Sequence, residues 1–298
     1  MKKRRKLIIY ILALTFALSN ITSCSIGETQ KTENAFGTVI PLTEYNTVES
    51  STINESEFET INKDDALILI HGKQYDCNSD TIIINGTAPG DGILSEEEYE
   101  LLQEMPNLKT LKVDIGNEKD YHNISCISTL TTLSIPYSVV TTEGLEELSK
   151  MPYLETLIIK IDNNSNLECL SKFSSLKSLK IYYDGVEALT VDYKKTISEL
   201  QQLEELYLNC FQIDNLDFLE HLKNLKMLDL SENRIKDISV LEDLSDLREL
   251  NLSYNNIEDF SALSKLQNLN TLLISGNNIS SERFDKIKET LPSCEIIY

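Results

Sequence analysis

Nine stretches of this chain repeat one apolar pattern, Leu-x-x-Leu-x-Leu or close to it. They begin at Leu108, Leu130, Leu154, Leu176, Leu203, Leu225, Leu247, Leu269 and Leu291. The spacing is 22 residues except for 24 after Leu130 and 27 after Leu176. Self-similarity at a period of 20–29 residues is the mark of a solenoid. One such unit cannot bury its apolar edge alone, so neighbouring units must stack. The repeat therefore fixes how the chain is built and requires it to present a long surface.

The last units are the most regular. Leu225-Lys-Met-Leu228-Asp-Leu230-Ser-Glu-Asn233-Arg-Ile235 is followed by Leu247-Arg-Glu-Leu250-Asn-Leu252-Ser-Tyr-Asn255-Asn-Ile257. These residues resemble the leucine-rich repeats of the short, internalin-like 22-residue class, over roughly residues 80 to 298. The resemblance implies an α/β solenoid. Each unit gives one strand to a parallel concave sheet, with short helical or 3₁₀ segments on the convex side and an N-terminal β-rich cap. Along a strand, side chains alternate faces, so the repeat leucines point inward and the residues between them outward.

Asn233, Asn255 and Asn277 stand at the family's asparagine position. There an amide both donates to and accepts from turn backbone groups. Earlier units carry Gly116, Ser138, Asp162, Asp184 and Phe211 instead, which predicts a less regular N-terminal half. The five extra residues of the unit starting at Leu176 fall near Val186 to Lys195, as a bulge or helix on the convex side.

The N-terminus reads as an export signal. Lys2, Lys3, Arg4, Arg5 and Lys6 precede the apolar run Leu7 to Leu18, too short for a membrane span and right for a signal core. Ile21-Thr22-Ser23-Cys24 then resembles the lipobox of bacterial lipoproteins. It implies that residues 1–23 are removed and that Cys24 is diacylated. That anchors the chain to the outer face of a cell membrane, in the Gram-positive manner. An ordinary cleaved signal with an incidental cysteine is the alternative, and an uncleaved anchor a further one. Residues 24–62 form an acidic tether rich in Ser, Thr and Glu. Such a composition cannot bury enough apolar surface to offset its ordering entropy. Residues 63–107 are read as the cap and 108–298 as the repeats with a C-terminal capping helix and strand. Within the cap, Ala66 to Ile70 and Thr81 to Ile84 read as β-rich with His71 to Tyr75 between them. A helix follows, with Ser95 and Glu98 as its capping box.

The formal net charge is −21. Loss of the signal, with five positive charges and no negative ones, takes it to −26. Nucleic-acid binding demands a basic footprint, so nucleic acid is excluded as a partner, and repulsion of this size favours a monomer. The sequence has no Gly-x-Ser-x-Gly elbow, no His-Glu-x-x-His and no phosphate-binding loop. Asn85 to Gly92 is glycine-rich but lacks the lysine of such a loop. His71, His122 and His221 share no local motif with a second metal ligand, and no cysteines form a Cys-x-x-Cys pair. The reading is non-catalytic, with no metal and no cofactor.

Rung spacing bears on the thiols. Cys126, Cys169 and Cys210 fall two turns apart, near 10 Å at about 4.8 Å per strand, beyond the roughly 6.8 Å limit of a disulfide. Cys294 is expected at a core leucine position. The outward strand positions of the third to fifth turns gather Ile158, Lys160, Lys180, Tyr182, Tyr207 and Asn209. Tyrosine is enriched at interface hot spots, so these six residues are the candidate binding surface for a protein ligand. Glycan binding is the alternative, with Tyr182 and Tyr207 stacking on sugar rings.

Overall fold

The computed structural model describes residues 67–84, 90, 92–183 and 193–298. The signal, Cys24, the tether, most of the glycine-rich segment, Asp184 and the first part of the bulge lie outside the described residues. The chain divides into two units, Met1–Asn78 and Ser79–Tyr298.

In the first unit, β1 (Leu67–Ile70) pairs antiparallel with β2 (Lys73–Asp76). His71 and Gly72 form the two-residue turn, with φ of 51° and 71°. A two-residue hairpin turn of this kind needs positive φ at both central positions. The stretch His71 to Tyr75, expected as a connection, is therefore a turn and most of a strand. Its polar Lys73, Gln74 and Asp76 hide the strand from a search for apolar residues.

The second unit is a ladder. Ten strands form one parallel sheet in strict chain order. They are β3 (Thr81–Ile83), β4 (Thr110–Lys112), β5 (Thr132–Val139), β6 (Thr156–Ile161), β7 (Ser178–Tyr183), β8 (Glu205–Tyr207), β9 (Met227–Asp229), β10 (Glu249–Asn251), β11 (Thr271–Leu273) and β12 (Glu295–Ile297). At every step but the last, one carbonyl receives two successive N–H groups of the next rung. Asp80 O accepts from Lys109 and Thr110, Lys109 O from Thr131 and Thr132, and so on to Arg248 O with Asn270 and Thr271. The sheet thus begins at β3, one rung ahead of the first leucine pattern. Ile82, Leu111, Leu133, Leu157, Leu179, Leu206, Leu228, Leu250 and Leu272 face inward, and all are fully buried. Each such side chain contributes about 1.5–3 kcal/mol by leaving water.

The asparagine ladder forms as the repeat implies. Asn255 Nδ2 donates to Leu230 O at 2.9 Å and to Leu252 O at 3.1 Å, while its Oδ1 accepts Ile235 N at 3.0 Å. Asn233 does the same with Leu208 O, Leu230 O and Ile213 N, and Asn277 with Leu252 O, Ile274 O and Ile257 N. The residue before each asparagine is left-handed: Glu232, Tyr254 and Gly276.

The N-terminal half is less regular, as the missing asparagines predict. At the Gly116 rung, Asp120 Oδ2 accepts Gly116 N at 2.6 Å and Asn117 N at 3.1 Å. At the Asp162 rung, Ser165 Oγ accepts Asp162 N and donates to Val140 O. Phe211 replaces the polar link with an aromatic cluster, 5.9 Å from Tyr183 and 5.3 Å from Tyr193. Whole helical turns cover the convex side here. They are α1 (Glu96–Gln103), with the expected Ser95–Glu98 capping box, α2 (Glu118–Ser125), α3 (Thr142–Leu148) and α4 (Tyr193–Glu199). A short 3₁₀ turn, Glu168–Lys172, stands between α3 and α4, and others such as Ser239–Asp243 serve the later units. The described end of the long unit is thus helical, with Ile197 and Leu200 buried as their spacing predicts.

Gly144 in α3 shows how closely these helices pack. A Cβ placed there would lie 2.4 Å from the Tyr121 ring, itself buried in α2. Alanine gains about 1 kcal/mol over glycine in helix propensity, but overpacking costs about 1–3 kcal/mol, and the buried ring has nowhere to move. Gly144→Ala is therefore expected to lower the urea midpoint, and an unchanged or higher midpoint would show that Tyr121 yields.

The C-terminal rung departs from expectation. Helix α5 (Ser281–Thr290) leads into β12, and Ile296, not Cys294, pairs with Leu272. Leu291 caps the helix and does not open a strand, so two more residues pass before the core position. Cys294 is only half-buried, and burial pushes its thiol up to about 11.

Candidate functional surface

The open face of the sheet is built by register. One row runs Ile83, Lys112, Ser134, Ile158, Lys180, Tyr207, Asp229, Asn251, Leu273, Ile297 across the ten strands. Beside it runs Thr81, Thr110, Thr132, Thr156, Ser178, Glu205, Met227, Glu249, Thr271, Glu295. Lys160 pairs with Tyr182 on a third row.

The structure brings three of the six candidates into direct contact. Lys180 Nζ stands 5.0 Å from the Tyr182 ring centre and 5.2 Å from that of Tyr207. An ammonium over an aromatic face gains about 0.5–1 kcal/mol at an exposed site, so the two rings hold the lysine upright. Ile158 is the backbone partner of Lys180, and Lys160 that of Tyr182. Asn209 turns aside, its Nδ2 donating to Cys210 Sγ at 3.8 Å. Tyr207 is half-buried. Its hydroxyl donates to Met227 Sδ, and burial, with the charges of Glu205, Asp229 and Glu249, pushes its titration up. It supports the fold as well as the face, so Tyr182 is the cleaner probe of binding.

Sequence reasoning missed a second lysine–tyrosine pair. Lys112 Nζ lies 5.4 Å from the Tyr137 ring centre, and burial holds its ammonium below the usual lysine range, with Asp114 opposing. Aligning the repeats would have found Lys112, which stands four residues after Leu108 as Lys180 does after Leu176. Tyr137 could not be found that way. The register shifts between Ile135 and Val139 and carries Tyr137 out of its repeat position.

The convex side holds a group that spacing of four residues would have signalled. His122 Nε2 lies 3.8 Å from Cys126 Sγ, and His122 Nδ1 lies 3.0 Å from Glu147 Oε1. Lys150 and His122 hold the Glu147 carboxyl down at about 2. Among the described residues, no cluster of three or more His, Cys, Asp or Glu has a metal-holding arrangement. His221 is exposed, as its place predicts.

Cys77, Cys126, Cys169, Cys210 and Cys294 form no disulfide among the described residues. Cys126, Cys169 and Cys210 follow β4, β6 and β8, two strand spacings apart. Cys169 is buried and donates to Glu146 Oε1, and burial pushes its thiol up. Alkylation at neutral pH is expected to mark exposed Cys126 well before Cys169. Peptide mapping that found a Cys126–Cys169 or Cys169–Cys210 bridge would contradict the rung count.

Comparison with known proteins agrees with this geometry. The family model for leucine-rich repeats (2 copies) matches residues 201–245 and 223–265. An internalin of Listeria monocytogenes is 26% identical, with a TM-score of 0.50 over 70% of this chain and 58% of its own. Internalin C2 of the same organism is 23% identical, with a TM-score of 0.51 over 67% of this chain and 83% of its own. The fold is a leucine-rich-repeat solenoid. The solenoid spans little more than half of the first internalin's length. A search of curated proteins by sequence finds no match. Leucine-rich-repeat solenoids present extended concave surfaces, and the ladder of this chain is similar in fold to those of bacterial internalins. No helix among the described residues is long and apolar enough to cross a membrane.

Proposed function

We propose that this chain is a non-catalytic binding protein, displayed outside a bacterial cell and held to the membrane by a diacylated Cys24. Its open sheet face, centred on Lys180, engages another protein. The observation that carries the binding reading is the contact of Lys180 Nζ with the rings of both Tyr182 and Tyr207. Rigid aromatic groups beside a partly desolvated cation are what interface hot spots are made of.

The basic start, the short apolar run and Ile21-Thr22-Ser23-Cys24 support the anchor. One acyl chain binds a membrane marginally and two hold it stably, and a diacylglyceryl group supplies two. Residues 24–62, acidic and rich in Ser, Thr and Glu, act as the tether.

Metabolic labelling with a clickable fatty acid tests the anchor. Wild type is expected to carry the label and Cys24→Ala to lack it and keep its signal, whereas equal labelling of the two would refute lipidation. Glycan binding is the competing reading of the tyrosines, although a sugar ring would have to compete with Lys180 for their faces. Glycan arrays set against protein pull-downs from intact cells separate the two.

A further inference from the structure

The ladder treats its charges in two different ways. Along the edge of the sheet, in the residues just before β6, β7, β8 and β9, opposite charges alternate and pair. Lys177 Nζ meets Glu155 Oε1 at 2.7 Å, and Lys226 Nζ meets Glu204 Oε2 at 2.5 Å. On the open face they do not alternate. In the two full-length rows the lysines, Lys112 and Lys180, stand on β4 and β7. No acidic residue precedes Glu205 on β8, after which come Asp229, Glu249 and Glu295. Lys112 and Lys180 make no ion pair among the described residues and lie over tyrosine rings instead. A chain that neutralises one row and segregates the next leaves a lasting field along the second.

Resting on the reading of this face as a protein-binding surface, we propose that it selects a polypeptide segment whose own charge is divided along its length. Carboxylates of that segment lie over the front rungs, and ammonium or guanidinium groups lie over the rear ones. The centre of the two lysines and the centre of Glu205, Asp229 and Glu249 are three to four strands apart. At about 4.8 Å per strand that is roughly 17 Å. A helix covers this distance in about 11 residues at 1.5 Å each. A uniform polyanion fits poorly, because whatever satisfies Lys112 and Lys180 would run on over three carboxylates. Complementary potentials of this kind govern specificity and encounter rate.

The test uses the full chain and two labelled, alanine-rich helical peptides of identical composition. One carries its glutamates in one half and its lysines in the other; the second alternates them. At low salt the divided peptide is expected to bind at least tenfold more tightly by fluorescence anisotropy. At 0.5 M salt, where the screening length falls to about 4 Å, the gap should close. Lys180→Glu should lower the divided peptide's affinity at least tenfold, with Lys112→Gln as a milder second variant. Equal binding of the two peptides would overturn the proposal, as would tighter binding of polyglutamate, which would mark a polyanion site. Loss of the native partner by Tyr182→Ala with no response to either lysine variant would also overturn it while leaving the binding face in place. Insensitivity to all three variants would remove both.

Discussion

Asn255→Ala is expected to destabilise the solenoid by about 2–4 kcal/mol. Ile235 N loses its acceptor, and a buried unpaired donor costs about 1–3 kcal/mol. The hydrogen bonds from Nδ2 are lost as well, but their acceptors are not orphaned. Leu230 O still receives Asn233 Nδ2, and Leu252 O still receives Asn277 Nδ2. The ladder therefore shares Leu230 O and Leu252 O between two amides each, and that sharing makes a second, sharper expectation. In Asn233→Ala/Asn255→Ala, Leu230 O loses both donors at once. The double variant should exceed the sum of the singles by about 1 kcal/mol, within the usual range for coupled neighbours. Asn255→Asp should also destabilise, because an ionised carboxylate keeps the acceptor and loses the donor. Urea unfolding of the four variants measures all of this. Strict additivity would show that the asparagines act one by one.

The asparagine ladder and the leucine core are both legible in the amino-acid sequence, for one physical reason. Each rung repeats the same local geometry, so residue type alone identifies Leu228, Leu250, Asn233 and Asn255. The features that escape are those where one rung differs from its neighbour. Thr81-Ile82-Ile83 forms the first rung without a leucine, so pattern matching begins at Leu108. Leu291 opens the same motif as Leu269, yet it caps α5 and throws Cys294 out of register. The shift between Ile135 and Val139 carries Tyr137 to Lys112. Of the candidate face, the outward direction of Ile158, Lys160, Lys180, Tyr182 and Tyr207 follows from alternation. That Lys180 Nζ contacts both rings does not, because it depends on the stagger of β7 against β8 across a 27-residue unit. The division of charge becomes visible only in the cross-strand rows.

The second large expectation concerns Tyr182. Its side chain is half exposed on the open face and is held by Lys180. Replacing an exposed residue changes stability by about 0.5 kcal/mol or less, whereas truncating an interface hot spot costs roughly 2 kcal/mol or more in binding. Tyr207→Ala is a less clean probe, since it also removes the contact with Met227 and should lower the melting temperature by a few degrees. Glu258→Ala, on an exposed loop beyond the strand, should alter neither stability nor binding. The measurement that decides the account is the affinity of Tyr182→Ala for the partner crosslinked on intact cells and identified by mass spectrometry. The account predicts at least a tenfold loss of binding at an unchanged melting temperature. Normal binding by Tyr182→Ala, with capture abolished instead by changes in the bulge near Asp192, would contradict it.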